Sequence, residues 1–176
     1  MTKINYHLLA VAVLSVLLAV AQAAPQGSGR AVNFTLRSVD GGSITSDTVR
    51  GDVVVLAFGA TWLPLSREQV QGVQKLADQY SARNLRVYWV STDSESPKSK
   101  NYATDAQLRS FARKNGLKVP MLRDPDGAVS KQMGVDELPA VVILDRQGNV
   151  YGAPLGGLDP ERSLSDQLAP MLDKIL

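Results

Sequence analysis

Three short, mainly apolar segments constrain the fold of this chain more than any other feature of its sequence. They occupy residues 53–58, 85–90 and 140–144. A strand that is covered on both faces has an almost unbroken apolar sequence, because neither set of alternating side chains meets water. Residues 66–80, and those that follow a capping Thr104, instead carry apolar side chains at helical spacing. The pattern therefore predicts an α/β domain with a buried sheet and flanking helices.

The remaining segments predict how this sheet is completed. Residues 33–39, the turn at 40–43 and Ile44 are typical of a β-hairpin. A second hairpin is expected after residues 145–148, with its partner strand at 149–151. The closing helix is expected over 158–175, with Pro160 in its first turn and Pro170 disturbing its end.

The first residues have the layout of a secretory signal peptide. Lys3 precedes an apolar stretch at about 8–20, and Ala21-Gln22-Ala23 follows, which predicts cleavage before Ala24. The stretch is shorter than the ~20 residues that a membrane-spanning helix needs; the alternative is an uncleaved anchor. We therefore expect residues 1–23 to be a signal peptide, 24–31 a loose lead-in and 32–176 one domain. The protein should be exported, most simply to the periplasm, with secretion to the exterior as the other destination.

Composition excludes several kinds of chemistry. The chain has no cysteine, and its one histidine, His7, lies in the signal segment. The exported part therefore lacks the commonest general base and the soft metal ligands, so no metal and no cofactor are predicted. Without Lys3, the 19 basic residues become 18, against 17 acidic ones. That balance favours neither nucleic acid nor an anionic membrane as a partner, and no stable membrane insertion is expected after cleavage.

Several motifs occur in an order that is characteristic of one family. They are Asn33–Leu36, Gly51–Val53, Ala60–Trp62, Val90–Asp93, Arg123–Gly127, Leu138–Pro139 and Ile143–Gly148. Over residues 31–157 the chain resembles the TlpA/ResA-like branch of exported thioredoxins, which are relatives of the AhpC/TSA redoxins. The resemblance implies a thioredoxin-like three-layer fold with a central mixed sheet, an N-terminal β-hairpin and flanking helices. It also implies that Pro139 is a cis-proline facing the active-site turn.

The active-site motif itself departs from the family. Where the family has Trp-Cys-Pro-X-Cys, this chain has Trp62 followed by Leu63, Pro64, Leu65 and Ser66. The buried polar residue of the preceding strand is replaced by Ala57, and the bulky aromatic after it by Gly59. Disulfide exchange requires a thiolate, so the chain cannot perform it alone. No catalytic residue is predicted; Leu63 and Ser66 are degenerate positions.

Other chemistry at these positions is poorly supported. Ser66 would need a base to act as a nucleophile, and no histidine is available outside the signal segment. Asp124 and Asp126 resemble the start of a calcium loop, but no closing glutamate follows, and such residues commonly form turns. Asp136 and Glu137 either line the rim of the degenerate site or are simply solvated.

The remaining hypothesis is binding. Trp62, Leu63, Pro64, Leu65, Leu138 and Pro139 are expected to converge where a thioredoxin holds its substrate chain, and could bind another exported protein or peptide. Alternatively, Leu63 folds inward and fills the space of the missing thiol. Two other functions stay open: a residual oxidoreductase whose thiol comes from a partner, and a structural assembly subunit. The oligomeric state is not predicted.

Overall fold

A computed structural model describes residues 31–157, 159 and 161–176. The predicted signal peptide and most of the predicted lead-in lie outside the described residues. Within the described part of the chain, no helix combines the length and the apolar character needed to cross a bilayer.

The described residues form one mixed sheet with helices on both faces. The strands are β1 (Thr35–Ser38), β2 (Ser43–Thr45), β3 (Val53–Gly59), β4 (Leu85–Ser91), β5 (Met121–Arg123), β6 (Ala140–Leu144) and β7 (Leu155–Gly156). Their order across the sheet is β2-β1-β5-β4-β3-β6-β7. The pairs β3–β4 and β4–β5 are parallel, and the other pairs are antiparallel. The helices are α1 (Pro64–Gln79), α2 (Asp105–Lys114), α3 (Ala128–Gln132) and α4 (Leu164–Ile175).

The central strand β3 explains why its sequence is uninterrupted by polar residues. Val53, Val55 and Ala57 face the cluster that contains the apolar sides of α1, α2 and α4. The alternating residues, such as Leu56 and Phe58, face the opposite cluster, which includes β1 and the region of α3. Both sets are fully buried. The expected three layers are therefore confirmed, with β3 in the middle of the core.

Three expectations for the connecting segments need correction. β5 was not predicted, because this three-residue strand includes the charged Arg123. After residue 144, the expected partner strand at 149–151 is reduced to two isolated bridges, Leu144 with Val150 and Ala31 with Asn149. The strand that pairs with β6 is β7 instead.

The predicted start of the last helix is also wrong, since α4 begins at Leu164 and not at 158. The Ser163 side chain accepts the backbone N–H of Asp166 at 3.1 Å, and this cap defines the start. Pro170 lies inside α4. A proline cannot donate to the carbonyl four residues earlier, and that carbonyl, of Asp166, accepts a hydrogen bond from Arg162 at 3.3 Å.

Candidate functional site

The candidate site is the turn between β3 and α1. Leu63 is the extended residue that precedes the helix, and Pro64 occupies the first turn. Proline suits that position because its missing N–H would have no helical partner there. The N–H of Leu63 donates to the carbonyl of Ala60, and the N–H of Ser66 donates to the carbonyl of Leu63, both at 3.1 Å. Residues 60–66 therefore form a closed, backbone-bonded turn.

Ser66 lies under this turn, away from solvent. Its side chain is 0% exposed, and its Oγ accepts the backbone N–H of Ala60 at 3.1 Å. The hydroxyl therefore satisfies a buried donor that would otherwise lack a partner. A nucleophile needs access to a substrate, so burial adds a second argument against serine chemistry here.

Gln69, one turn further along α1, is the residue of this site that sequence reasoning missed. Its Nε2 donates to the carbonyls of Phe58 at 3.1 Å and Ala140 at 3.0 Å. Its Oε1 accepts from the indole Nε1 of Trp89 at 2.9 Å. A single amide, 1% exposed, thus joins α1 to β3, β4 and β6. Its position four residues before Val73, on the apolar stripe of α1, was the available signal.

Gly59 is required by this packing. A Cβ atom at residue 59 would lie 2.7 Å from Oε1 of Gln69, 2.8 Å from Oγ of Ser66 and 2.9 Å from Cζ2 of Trp89. All three distances are shorter than van der Waals contact. The bulky residue that the family carries here is therefore incompatible with the amide and hydroxyl beneath the turn. We call Gly59, Ser66, Gln69 and Trp89 the buried anchor.

A buried carboxylate holds the other end of the turn. Asp93, 1% exposed, accepts the N–H of Thr61 at 2.9 Å and its hydroxyl at 2.8 Å. The hydroxyl of Ser91 donates to the same carboxylate at 2.8 Å. The motif at 90–93, which the sequence identified only as a family match, thereby connects the end of β4 to the residue before Trp62.

Above the buried anchor, the turn is open to solvent. Trp62 is 54% exposed and Leu65 is 40% exposed, whereas Leu63 and Leu138 are partly buried. The Leu138–Pro139 peptide bond is cis, as expected, and the Pro139 side chain is buried. Leu63 itself is only partly buried, and the fully buried side chains at the start of α1 are those of Ser66 and Gln69.

Beside the turn lies a groove of about 500 Å³. Among the predicted binding residues, Trp62, Leu63 and Leu138 line it, and Pro64, Leu65 and Pro139 do not. Asp126, Lys131, Asp136 and Glu137 are the charged residues of its lining. Both possibilities raised for Asp136 and Glu137 therefore hold together, since these side chains are exposed and also form the rim.

The two aspartates of the turn before α3 have structural partners. The carboxylate of Asp124 accepts the N–H groups of Val129 at 3.0 Å and Ser130 at 2.8 Å. Asp126 accepts the N–H of Ala128 at 3.2 Å. Both therefore stabilise the start of α3, which is the turn-forming role weighed against a calcium loop.

A charged cluster joins the 94–104 loop to β1 and β5. The buried Arg123 donates to the carboxylate of Asp105 at 2.8 Å and to the carbonyls of Ala103 and Asp93 at 2.9 and 3.0 Å. Hydrogen bonding from Arg37, with a contribution from Arg123, lowers the pKa of Asp105 to about 2. The same carboxylate, together with Glu95, raises the pKa of Arg37. These ion pairs hold the 94–104 loop against the sheet.

Two solved structures have folds that are similar to that of this chain. The fold matches that of a Chlorobium tepidum protein assigned as a DsbE-type thiol:disulfide interchange protein, with a TM-score of 0.69 and 22% identity over 84% of this chain and 96% of that one. It also matches a secreted Mycobacterium tuberculosis disulfide oxidoreductase homologous to DsbE, with a TM-score of 0.61 and 20% identity over 78% of this chain and 96% of that one. Both likenesses define a thioredoxin-like α/β fold.

In sequence, the chain is 25% identical over 145 residues to the thiol-disulfide oxidoreductase ResA of Bacillus thuringiensis subsp. konkukian, covering 82% of this chain and 76% of that protein. The AhpC/TSA family model matches residues 28–153, and the chain belongs to that family. The family assignment made from the sequence is thereby confirmed. Unlike a thiol-disulfide oxidoreductase, this member contains no cysteine.

Proposed function

We propose that the protein is an exported, redox-inactive member of its family that binds another exported polypeptide beside the degenerate turn. The observation that carries the proposal is the exposure of two large apolar side chains at this turn. Trp62 and Leu65 are two of the three large hydrophobic residues that are exposed in the described part of the chain, and Tyr102 is the third. Clustered exposed apolar residues next to a groove are typical of interaction sites.

Redox inactivity rests on the chemistry of sulfur. Thiol–disulfide exchange proceeds by attack of a thiolate on a disulfide sulfur, and the chain has no cysteine among its 176 residues. The oxidoreductase names of its relatives describe proteins of the same family, but that reaction has no nucleophile here. A partner that supplied its own thiol would still meet Leu63 and a buried Ser66 at the turn.

Export is supported by the sequence of residues 1–23 and by the secreted relative among the similar structures. The appropriate ligand class is then a polypeptide of the same compartment. An extended segment suits the site, because the groove has a volume of about 500 Å³ and Leu138, the residue before the cis-proline, is part of its lining.

The binding proposal is tested by affinity capture with the purified mature chain in an extract of its own compartment. Wild type is compared with Trp62→Ala and Leu63→Asp, and Tyr102→Ala is the matched control, since Tyr102 is exposed but does not line the groove. We expect both site variants to lose the captured polypeptide and the control to retain it. A thermal melt of each variant confirms folding.

Two outcomes would replace the proposal. Capture that ignores Trp62 and Leu63 would favour an assembly subunit that uses another face. Catalysed reduction of insulin by the repurified protein, above the rate with dithiothreitol alone, would show a redox role that a cysteine-free chain should not have.

A further inference from the structure

The groove beside the turn is acidic on its exposed rim. Asp126, Asp136 and Glu137 are exposed and line it, against Lys131 as the lining cation. Asp136 and Glu137 form no ion pair or hydrogen bond with other described residues, whereas Glu95 and Asp105 nearby are paired with Arg37 and Arg123. The carboxylates of Asp136 and Glu137 are therefore available to a ligand.

The apolar wall of the groove is compatible with the same ligand. Trp62 presents an indole that is 54% exposed, next to Leu63 and Leu138. The face of an indole attracts a cation through its quadrupole, and it also packs against the alkyl part of a lysine or arginine side chain. A basic residue flanked by apolar residues thus matches both the acidic rim and the apolar wall of the groove.

The net charge of the whole molecule favours acidic ligands and not basic ones. The whole chain has 19 basic and 17 acidic residues, and 18 basic residues remain without Lys3 of the predicted signal peptide, so the net charge stays slightly positive. Basic side chains occur elsewhere, as at two other cavities that include Arg67 with Lys114 and Arg109 with Arg113. Long-range attraction would weakly favour acidic ligands, so any preference for basic ligands must arise locally in the groove.

We propose that the groove selects extended peptide segments that carry lysine or arginine beside apolar residues, with Asp136 and Glu137 as specificity-determining residues. This inference rests on the proposed function, because it names the kind of polypeptide that the site binds. Opposite charges at an interface rim govern partner choice and association rate, and their effect weakens as salt is added.

The test uses three capped ten-residue peptides of one apolar, strand-forming sequence. They differ only at two positions, which hold lysine, glutamine or glutamate. Fluorescence anisotropy of labelled peptide measures the dissociation constant for the mature chain at low and high ionic strength. We expect the lysine peptide to bind about tenfold more tightly than the glutamine peptide at low salt, the glutamate peptide to bind most weakly, and the differences to shrink at high salt.

The matched variants have equal changes in charge. Asp136→Asn with Glu137→Gln should reduce the lysine preference to less than about twofold. Glu68→Gln with Asp78→Asn, two exposed acids that do not line the groove, should leave it unchanged. Asp126 is kept in both, because its carboxylate accepts the N–H of Ala128.

The failures of the two proposals are distinguishable. Equal binding of all three peptides, abolished by Trp62→Ala, would overturn the charge preference and leave the proposed function standing. A lysine preference that persists in the Asp136/Glu137 variant would overturn the role of those residues. Absence of binding by every peptide, or self-association that Trp62→Ala abolishes in sedimentation, would overturn both the preference and peptide binding in this groove.

Discussion

The turn between β3 and α1 has two sides that differ in every physical respect. Below it, Ser66, Gln69 and Trp89 are at most 1% exposed, and their polar groups are paired with one another or with backbone. Above it, Trp62 and Leu65 are 54% and 40% exposed. Buried polar groups that are fully paired make a rigid support, whereas exposed apolar groups have no favourable partner in water.

This difference means that the residues that stabilise the turn are not the residues that are available to bind a partner. In the buried anchor, a hydroxyl stands at Ser66, the second position of the missing thiol pair, and the amide of Gln69 lies one turn further along α1. The outer side has the groove, whose lining includes Leu138, the residue before the cis-proline Pro139. Mutations below the turn should therefore act mainly on the free energy of unfolding, and mutations above it mainly on binding.

The largest effect is expected for Gln69→Leu. This variant nearly preserves volume but leaves the carbonyls of Phe58 and Ala140 and the indole N–H of Trp89 buried without their partner. Unpaired buried groups cost about 1–3 kcal/mol each, so for these three groups we expect a loss of at least roughly 3 kcal/mol in the free energy of unfolding. Urea denaturation measures it, with the exposed Gln71→Leu as control. A loss below about 1 kcal/mol would mean that the Gln69 amide does not support the turn.

Gly59→Ala should have the next largest effect. The added methyl overlaps three buried side chains that cannot move without breaking the anchor, so we expect a loss of roughly 2–3 kcal/mol. Gly156→Ala is the matched control, because its Cβ would lie 2.5 Å from Oε1 of Glu137, an exposed side chain that can rotate away. Equal losses in the two variants, measured by urea denaturation, would contradict a packed underside.

A smaller effect is expected when the pH is lowered. It should reduce the stability that the charged cluster around Asp105 provides and leave that of the uncharged buried anchor unchanged. The pKa of Asp105 is lowered to about 2 in the folded protein, chiefly by Arg37. The contribution of Asp105 to the free energy of unfolding is therefore complete above the pKa of the unfolded state, near 4. It is lost as the pH falls through the folded-state pKa of about 2. Because Asp105 is partly exposed, we expect roughly 1–2 kcal/mol to be lost over that range.

Denaturation of wild type and Asp105→Asn at pH 5 and pH 2 tests this expectation. The substitution should remove most of the pH dependence that this one carboxylate causes. The loss caused by Gln69→Leu should instead be the same at both pH values, since the anchor contains no titratable group. A pH-dependent penalty for Gln69→Leu would show that the two networks are coupled.

The smallest effect on stability is expected for Trp62→Ala. An exposed side chain contributes little to the folded state, so the free energy of unfolding should change by less than about 0.5 kcal/mol. The same variant should lose the captured polypeptide. A large loss of stability would mean that Trp62 packs against the domain, and the contrast between the two sides of the turn would disappear.

The extent to which the fold was predictable depended on the kind of burial. β3 was predicted because burial on both faces makes its sequence apolar throughout. β5 was missed because Arg123 interrupts the pattern; its charge is accommodated by Asp105 and by distant carbonyls. The start of α4 was missed because the capping contact of Ser163 competed with an equally plausible helix start at Pro160.

The candidate site was predictable in the same partial way. The family resemblance placed Leu63 and Ser66 at the positions of the missing thiols and Pro139 opposite them. Sequence reasoning did not assign a role to Gln69. A polar residue on an apolar helix stripe indicates burial but does not identify its hydrogen-bond partner. The partners of this amide lie in three different strands.

By itself, the sequence determined that the chain has no sulfur nucleophile and that its central strands are buried. Both conclusions follow from residue type and local periodicity, which require no knowledge of distant contacts. Tertiary structure alone decided that Gly59 must lack a side chain, that Ser66 faces inward, and that Asp136 and Glu137 share a groove with Trp62. These features arise where segments far apart in the chain approach within a few ångströms, and such proximity leaves no periodic trace in the sequence.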